Sequence, residues 1–448
     1  MNGPLIITSK TGPFSRRDFL RAATAASAYV ITGCATNPVT GESQLMLVDQ
    51  KDEIEMDRAN SPHQISADYG ASSDNLLREY VSHVGNRLSS LSHRPDMPYS
   101  YRVVDATYMN AYAFPGGTIS ATRGIMLALD NEASLAALMG HEIGHVNARH
   151  TAARMSAAIL TQIAVAGLVV VAASQDKNAG ALAAGLGALG AGALLAKYSR
   201  DDERQADGLG MEYMTKAGYN PQGMVDLMDV LRSMSREKPS ALEMMFASHP
   251  MSDERYQTAA GKLADQYSGM EAFNIGKQRH MDSTSSLRRI KPAIEAMQRG
   301  EEGMRKRQYR PAEEQYSAAL KSAPNDYAGL LMMAKCQLAQ KNPAAAQNYA
   351  ERARQVKPSE PQSNNLVGMA KLFRKDFGGA FQAFSQYEKA LPGNPNTVFF
   401  KGLSAEGMGD RARAAEEYSR YVKADDSTEQ GKYAASRLLS WGYLKRGN

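Results

Sequence analysis

Apolar residues recur at three- and four-residue steps between Asn131 and Arg149, where Leu135, Leu138, Met139, Ile143 and Val146 form one stripe and predict a helix. Upstream, Tyr99 to Asp105 alternates tyrosine and valine with polar residues, the two-residue period of a strand. A second strand-like run from Asn110 to Met126 is broken by Pro115-Gly116-Gly117. A strand beside such a helix offers main-chain donors and acceptors with which an extended peptide can pair. Downstream the pattern changes: Met155 to Ser174 carries no charge, and Ala179 to Ala196 is nearly all Ala, Gly and Leu. Each run reaches the length of a bilayer span, but Gln162 interrupts the first and the second is too rich in Ala and Gly to insert strongly. Residues 155–196 are therefore expected to form a hydrophobic lid or membrane-contacting helices.

The last third of the chain is periodic on a longer scale. Pro324, Pro358 and Pro392 are 34 residues apart, as are Ala312, Ala346, Ala380 and Ala414, and Gly300, Ala334, Gly368 and Gly402 keep the same step. Tyr316, Phe384 and Tyr418 fall at one further position of the repeat, with Ala350 the exception. This period, with small residues where paired helices touch and proline at the turn, is the tetratricopeptide signature. It predicts four helix pairs from about Ile290 to Asp425 and a capping helix near Lys432 to Lys445. Such an array binds peptides or proteins on its concave face and performs no chemistry of its own.

The amino terminus reads as a targeting segment. Ser15-Arg16-Arg17-Asp18-Phe19-Leu20 resembles a twin-arginine export signal, an apolar run from Ala22 to Thr32 follows, and Ile31-Thr32-Gly33-Cys34 resembles a lipobox. Residues 1–33 are expected to be removed, Cys34 to be lipidated, and 34–50 to form a linker to a first domain at 51–275, with the repeats at 290–448. The chain would then sit on the periplasmic side of the cell envelope, anchored by lipid, and Ala35 fits sorting to an outer membrane. With Cys34 acylated, Cys336 is left alone, excluding an intrachain disulfide in the mature protein, and it reads as a small buried hydrophobe. A net charge of +5 over 448 residues gives no reason to expect a nucleic-acid partner.

The chemistry is concentrated in His141-Glu142-Ile143-Gly144-His145. Histidines four apart on a helix leave the same face and can share one Zn²⁺, while Glu142 lies one step round, placed to take a proton from a water molecule at the metal's open position. A third ligand is expected on a second helix. In Tyr198-Ser199-Arg200-Asp201-Asp202-Glu203-Arg204-Gln205-Ala206-Asp207, Glu203 and Asp207 are also four apart, so a metal-binding Glu203 places Asp207 where it can accept a hydrogen bond from a ligand imidazole. His141, His145 and Glu203 are thus the expected ligands of one zinc ion per chain, and Glu142 the general base.

These residues also carry a family resemblance. HEIGHVNARH at 141–150, SRDDERQAD at 199–207 and SHPMSDER at 248–255, with the strand-like segments at 110–117 and 122–124, are similar to the zinc endopeptidases that include CAAX prenyl proteases and the HtpX-like and BepA-like enzymes. The resemblance covers about half the chain. It implies a mainly α protein: a gluzincin-type α+β zinc peptidase domain with a small β-sheet, followed by an α-solenoid of tetratricopeptide repeats. It adds His249, which in BepA-like enzymes can occupy the metal's open position as a latching fourth ligand and elsewhere in the family stabilises the transition state. An oxyanion donor is expected from His249 or Arg255. BepA-like enzymes act on outer-membrane proteins stalled in assembly, so the resemblance implies unfolded outer-membrane proteins and their assembly machinery as partners, held through the repeats. The lipoprotein leader departs from the simple cleavable signal of such relatives. A repeat-based chaperone or scaffold with a latent zinc site is the alternative, and the intact Glu142 argues against it, because a structural site has no use for a base.

Overall fold

The computed structural model describes residues 34–158, 197–237, 239–270 and 272–444; the leader and residues 159–196 lie outside them. The described residues divide into two compact units, 34–291 and 292–444. Among them, no helix is long and apolar enough to cross a membrane.

The first unit opens with a hairpin of β1 (Cys34–Thr36) and β2 (Ser43–Leu45), with Cys34 opposite Leu45. Helix α1 (Gln50–Ala67) begins at a reciprocal capping box between Asp49 and Asp52, which satisfies two of the amides a helix start leaves unpaired. Its buried face is polar, carrying Glu53, Asp57 and Ser61, because each of the two carboxylates has a fixed partner elsewhere. Asp57 Oδ2 accepts the Thr118 N–H at 2.8 Å and so pins the turn at Pro115-Gly116-Gly117. Gly117 has φ +102°, a conformation closed to other residues, and a side chain at Gly116 would strike Asp57 and the α1 backbone. Helix α2 (Asn75–Ser89), capped by Asp74, buries Leu77, Val81, Val84 and Leu88.

That turn joins two of the three strands in one sheet. β3 (Ser100–Val104), β4 (Ala111–Ala113) and β5 (Thr118–Thr122) lie in the order β3-β5-β4, with β3 parallel and β4 antiparallel to the wholly buried β5. The strand-like run expected to reach Met126 stops at Thr122. There the Thr122 hydroxyl accepts the Ile125 N–H and starts the short helix α3 (Arg123–Ala128), so a side-chain cap overrides the apolar pattern. Phe114 N–H bonds to Thr118 and Thr122 N–H to Asn110, which turns the main-chain groups of Ala111 and Ala113 away from β5.

Helix α4 (Glu132–Asn147) is buried at every residue, and Asn131 caps it through the Ser134 N–H at 2.8 Å. α5 (Arg200–Lys216) starts at Ser199, where a capping box with Asp202 closes the first turn. A side chain on Gly140 would come within 3.0 Å of the Gly210 backbone, and one on Gly144 within 3.1 Å of Ala206. Small residues on both faces therefore let α4 and α5 touch backbone to backbone. α6 (Gln222–Glu237), α7 (Pro239–Ser248) and α8 (Asp253–Asp265) follow, and the loop from His249 to Ser252 joins the last two. Short helices α9 (Lys277–Ser283) and α10 (Ser285–Arg289) complete the unit, with Arg279 paired to the buried Glu132 at the start of α4.

The second unit is the expected array. Its pairs are α11 (Lys291–Arg305) with α12 (Tyr309–Ser322), α13 (Tyr327–Ala339) with α14 (Pro343–Val356), α15 (Gln362–Phe373) with α16 (Phe377–Ala390), and α17 (Pro395–Gly407) with α18 (Arg411–Ala424). α19 (Glu429–Ser440) closes the array a few residues earlier than the periodicity implied, because Thr428 caps it. The Ala350 exception has a physical partner. Gly300, Gly368 and Gly402 lie under the rings of Tyr316, Phe384 and Tyr418, where a Cβ would fall 2.3, 2.7 and 2.5 Å from ring carbons; in the repeat that carries Ala350, the residue at the glycine's position is Ala334. Cys336 is buried, as expected of a small hydrophobe.

Two outcomes follow. Gly402→Ala is expected to destabilise the protein by about 1–3 kcal/mol through overpacking against Tyr418. In a Tyr418→Ala background the same change should be neutral or stabilising, which a double-mutant cycle in urea would measure. In the first unit, His280 is buried between the Tyr80 hydroxyl at 2.9 Å and the Leu129 carbonyl at 3.0 Å. Burial, with Arg288 nearby, lowers its pKa to about 4. Because the unfolded chain takes up the proton first, this contribution is complete above about pH 6.5 and is lost as the pH falls toward 4, on the order of 3 kcal/mol in all. Urea midpoints at pH 7.5 and pH 5 should separate for the native sequence and converge in His280→Gln.

Candidate metal centre

Two helices supply the centre, and the small-residue seam between them sets its dimensions. From α4, His141 Nε2 and His145 Nε2 converge to 3.1 Å. From α5, Glu203 brings Oε2 to 3.6 Å from His141 Nε2 and Oε1 to 3.5 Å from His145 Nε2. The loop after α7 adds His249, whose Nδ1 lies 3.0 Å from Glu203 Oε1 and 3.3 Å from His141 Nε2. These four residues offer ligand atoms that all lie within 4.8 Å of one another, and all four are buried. The structure thus brings together every ligand named from the sequence.

The donor set fits a cation on its own chemistry. His141 Nδ1 is held by Asp207 Oδ1 at 2.9 Å and His145 Nδ1 by His150 Nδ1 at 2.8 Å. With the ring protons directed to those partners, the two Nε2 atoms present lone pairs to the same point, and lone pairs at that separation repel unless a positive charge lies between them. Among the described residues, both oxygens of Glu142 are buried without a hydrogen-bond partner. Anionic oxygens left in that state are costly to bury, so they too face a site made for a cation or a polar ligand.

The electrostatics separate the roles. Burial pushes the Glu142 carboxyl above its ordinary range, with the His249 and His141 imidazoles pulling the other way. That is the direction a proton-accepting carboxylate needs if it is to hold and return a proton near neutral pH. Burial would also raise Glu203, but the imidazoles of His249, His145 and His141 outweigh it and hold the carboxyl far below its usual value. Burial lowers His145 well below the ordinary histidine range, which keeps it neutral and ready to ligate. His141 is also pushed down by burial, yet Asp207 and Glu203 leave it raised.

Several residues take parts that the sequence did not assign to them. Arg255, expected as an oxyanion donor, is committed elsewhere: Nε and Nη2 donate to the two oxygens of Asp207 at 2.7 Å, and Nη1 lies 2.7 Å from Glu203 Oε2. Tyr198 stacks on His145 with ring centroids 3.8 Å apart and donates its N–H to the Ser248 carbonyl. At the far end of α4, Arg149 adopts φ +58°, a left-handed conformation that costs about 1 kcal/mol or more outside glycine. Two buried bonds offset it, from Arg149 Nε to Glu53 Oε1 at 3.0 Å and from Nη2 to the Val48 carbonyl at 2.7 Å. Glu53 also holds Arg94, which donates to the Val146 carbonyl at the end of α4. Met155 packs with Met46, Val48, Tyr112 and Phe114, while residues 159–196 of the expected lid lie outside the described residues.

Two histidines and a glutamate aimed at one point, beside a buried carboxylate that accepts no hydrogen bond from the described residues, define a centre of the metallopeptidase class. The model of peptidase family M48 matches residues 75–262. The beta-barrel assembly-enhancing proteases of Yersinia pestis and Escherichia coli K12 are 31% and 29% identical over 195 and 225 residues, which is 42% and 48% of this chain and 39% and 45% of those proteins. The metalloprotease YcaL of Escherichia coli K12 is 30% identical over 214 residues, 47% of this chain and 76% of that protein. This chain belongs to peptidase family M48. It spans less than half the length of the beta-barrel assembly-enhancing proteases it matches. Among solved structures, the type IV pilus biogenesis factor PilW is 18% identical, with a TM-score of 0.33 over 50% of this chain and 93% of that one.

Arg255→Gln is expected to destabilise the first unit by about 3–5 kcal/mol, since it leaves Asp207 and Glu203 buried together without their cation. Urea unfolding in the presence of a chelator would measure the loss, and Arg255→Lys should lie between the two.

Proposed function

We propose that this chain is a zinc-dependent endopeptidase of the cell envelope. It hydrolyses peptide bonds in misfolded or misassembled proteins, chiefly those of the outer membrane, that its repeats recruit. The observation that carries this reading is the convergence of His141 Nε2, His145 Nε2 and Glu203 next to a buried Glu142 that makes no hydrogen bond among the described residues.

His141, His145 and Glu203 would hold a zinc ion, which when bound would supply a Lewis acid to polarise the scissile carbonyl and acidify water. Glu142 takes the proton of the attacking water on a carboxylate oxygen and returns it to the nitrogen of the leaving amine. Asp207 fixes the ring of His141, and Arg255 fixes Asp207. Ala111 and Ala113 on β4, with amides and carbonyls turned away from β5, offer an extended substrate a strand to pair with. Main-chain pairing implies broad sequence preference, which suits substrates selected for being unfolded.

His249 acts in this reading as a latch. Its Nδ1 lies among the ligand atoms and its Nε2 is 3.7 Å from Glu142 Oε1, so the ring occupies the space that substrate and water need. Access then depends on moving the loop between α7 and α8. The proposed setting is the periplasmic face of the envelope, reached by twin-arginine export and held by lipid on Cys34, with 51–275 as the catalytic domain and 290–448 as the recruiting domain. The names of the beta-barrel assembly-enhancing relatives support that substrate class.

Casein or an unfolded outer-membrane protein offered to the full chain tests this. Glu142→Gln should lower cleavage at least about 100-fold while its zinc content stays near that of the native protein. His249→Ala should cleave faster than the native chain. Full activity in Glu142→Gln would end the peptidase reading, and lost activity in His249→Ala would make that residue part of the chemistry.

A further inference from the structure

The two ligand histidines are held in different ways. Asp207, a carboxylate clamped by Arg255, holds His141. Among the described residues no carboxylate meets His145 Nδ1; that atom lies 2.8 Å from His150 Nδ1, and His150 Nε2 lies 2.9 Å from Gln205 Oε1 and 3.5 Å from Asp202 Oδ1. From these contacts we infer that His150 is a positioning residue of the metal centre, which fixes the tautomer and ring plane of His145 through a chain that ends on Gln205 of α5.

The direction of the chain follows from its ends. A His145 that gives its Nε2 lone pair to a metal must carry its proton on Nδ1, and so donates to His150 Nδ1. His150 Nδ1 is then an acceptor, which places the His150 proton on Nε2. There it meets Gln205 Oε1, an atom that can only accept. Each link dictates the next, and the chain is satisfied in one sense only. The fold supplies the geometry: α4 ends at Ala148, and the left-handed Arg149 turns the chain back so that His150 meets the ring edge of a residue five positions earlier. Glu53 and the Val48 carbonyl hold Arg149 in that conformation. Tyr198, stacked on His145, covers the ring on another side, and His150 is itself buried.

The inference rests on the metallopeptidase reading, and zinc affinity separates the two. Chelator competition on the full chain gives apparent zinc Kd for the native protein, His150→Leu, His150→Asn and Gln205→Leu, alongside thermal melting of each metal-free form. His150→Leu removes the acceptor and should weaken zinc binding about 10- to 100-fold. His150→Asn places an amide oxygen near the former Nδ1 and should restore affinity to within about threefold, a rescue that a packing role would not produce. Gln205 is half-buried, and Gln205→Leu should weaken binding in the same direction by a smaller factor. Unchanged affinity in His150→Leu overturns the inference, as does an Asn variant that binds as weakly as Leu. If His150→Leu does not fold, unchanged affinity in Gln205→Leu overturns it instead. A native chain that binds no zinc sinks the metallopeptidase reading first.

Discussion

Everything chemical in the first unit depends on how closely α4 approaches α5. Gly140 and Gly144 on one helix, facing Ala206 and Gly210 on the other, let the backbones meet without side chains between them. Ligand side chains are short: an imidazole and a carboxylate reach a common point only if their helices are nearly in contact. Were the seam filled with ordinary residues, Glu203 would be carried out of reach of His141 and His145. Packing at methyl-group resolution thus sets the metal-binding geometry, and the ligands themselves do not.

Close approach has an electrostatic price. Burying Glu142, Glu203, Asp207 and Glu53 in one unit is tolerable only because most of these carboxylates meet a fixed cation or imidazole. Arg255 serves Asp207 and Glu203, while Arg94 and Arg149 serve Glu53. Among the described residues, Glu142 alone of the four is left without a hydrogen bond. The arginines therefore separate three acids with fixed partners from one without a hydrogen bond, the environment in which perturbed carboxylates are found.

Much of this was legible in the sequence because it is local and periodic. The spacing of His141 and His145, and of Glu203 and Asp207, depends only on helical geometry, and the 34-residue step survives any detail of packing. His249 was legible only through the resemblance of the surrounding motif, since a histidine before proline carries no signal of its own. The parallel pairing of β3 with β5 was not readable, because strand order is decided by contacts between distant residues. Nor was the end of β5, where one hydroxyl outweighs an apolar run. His150 stood in plain sight next to the zinc motif. Its partner is set by the left-handed turn at Arg149, and that turn is set by Glu53, nearly a hundred residues earlier.

The pairing of small residue and ring in the second unit bears on how such arrays change over time. Gly300 with Tyr316, Gly368 with Phe384 and Gly402 with Tyr418 are one solution, and Ala334 with Ala350 is another. A hybrid drawn from both, such as an alanine under a ring or a glycine opposite a methyl group, gives a clash or a void. The heritable module is accordingly the helix pair, not the single helix. Duplication or recombination that breaks between repeats preserves a matched set, whereas a crossover inside one separates residues that fit only each other.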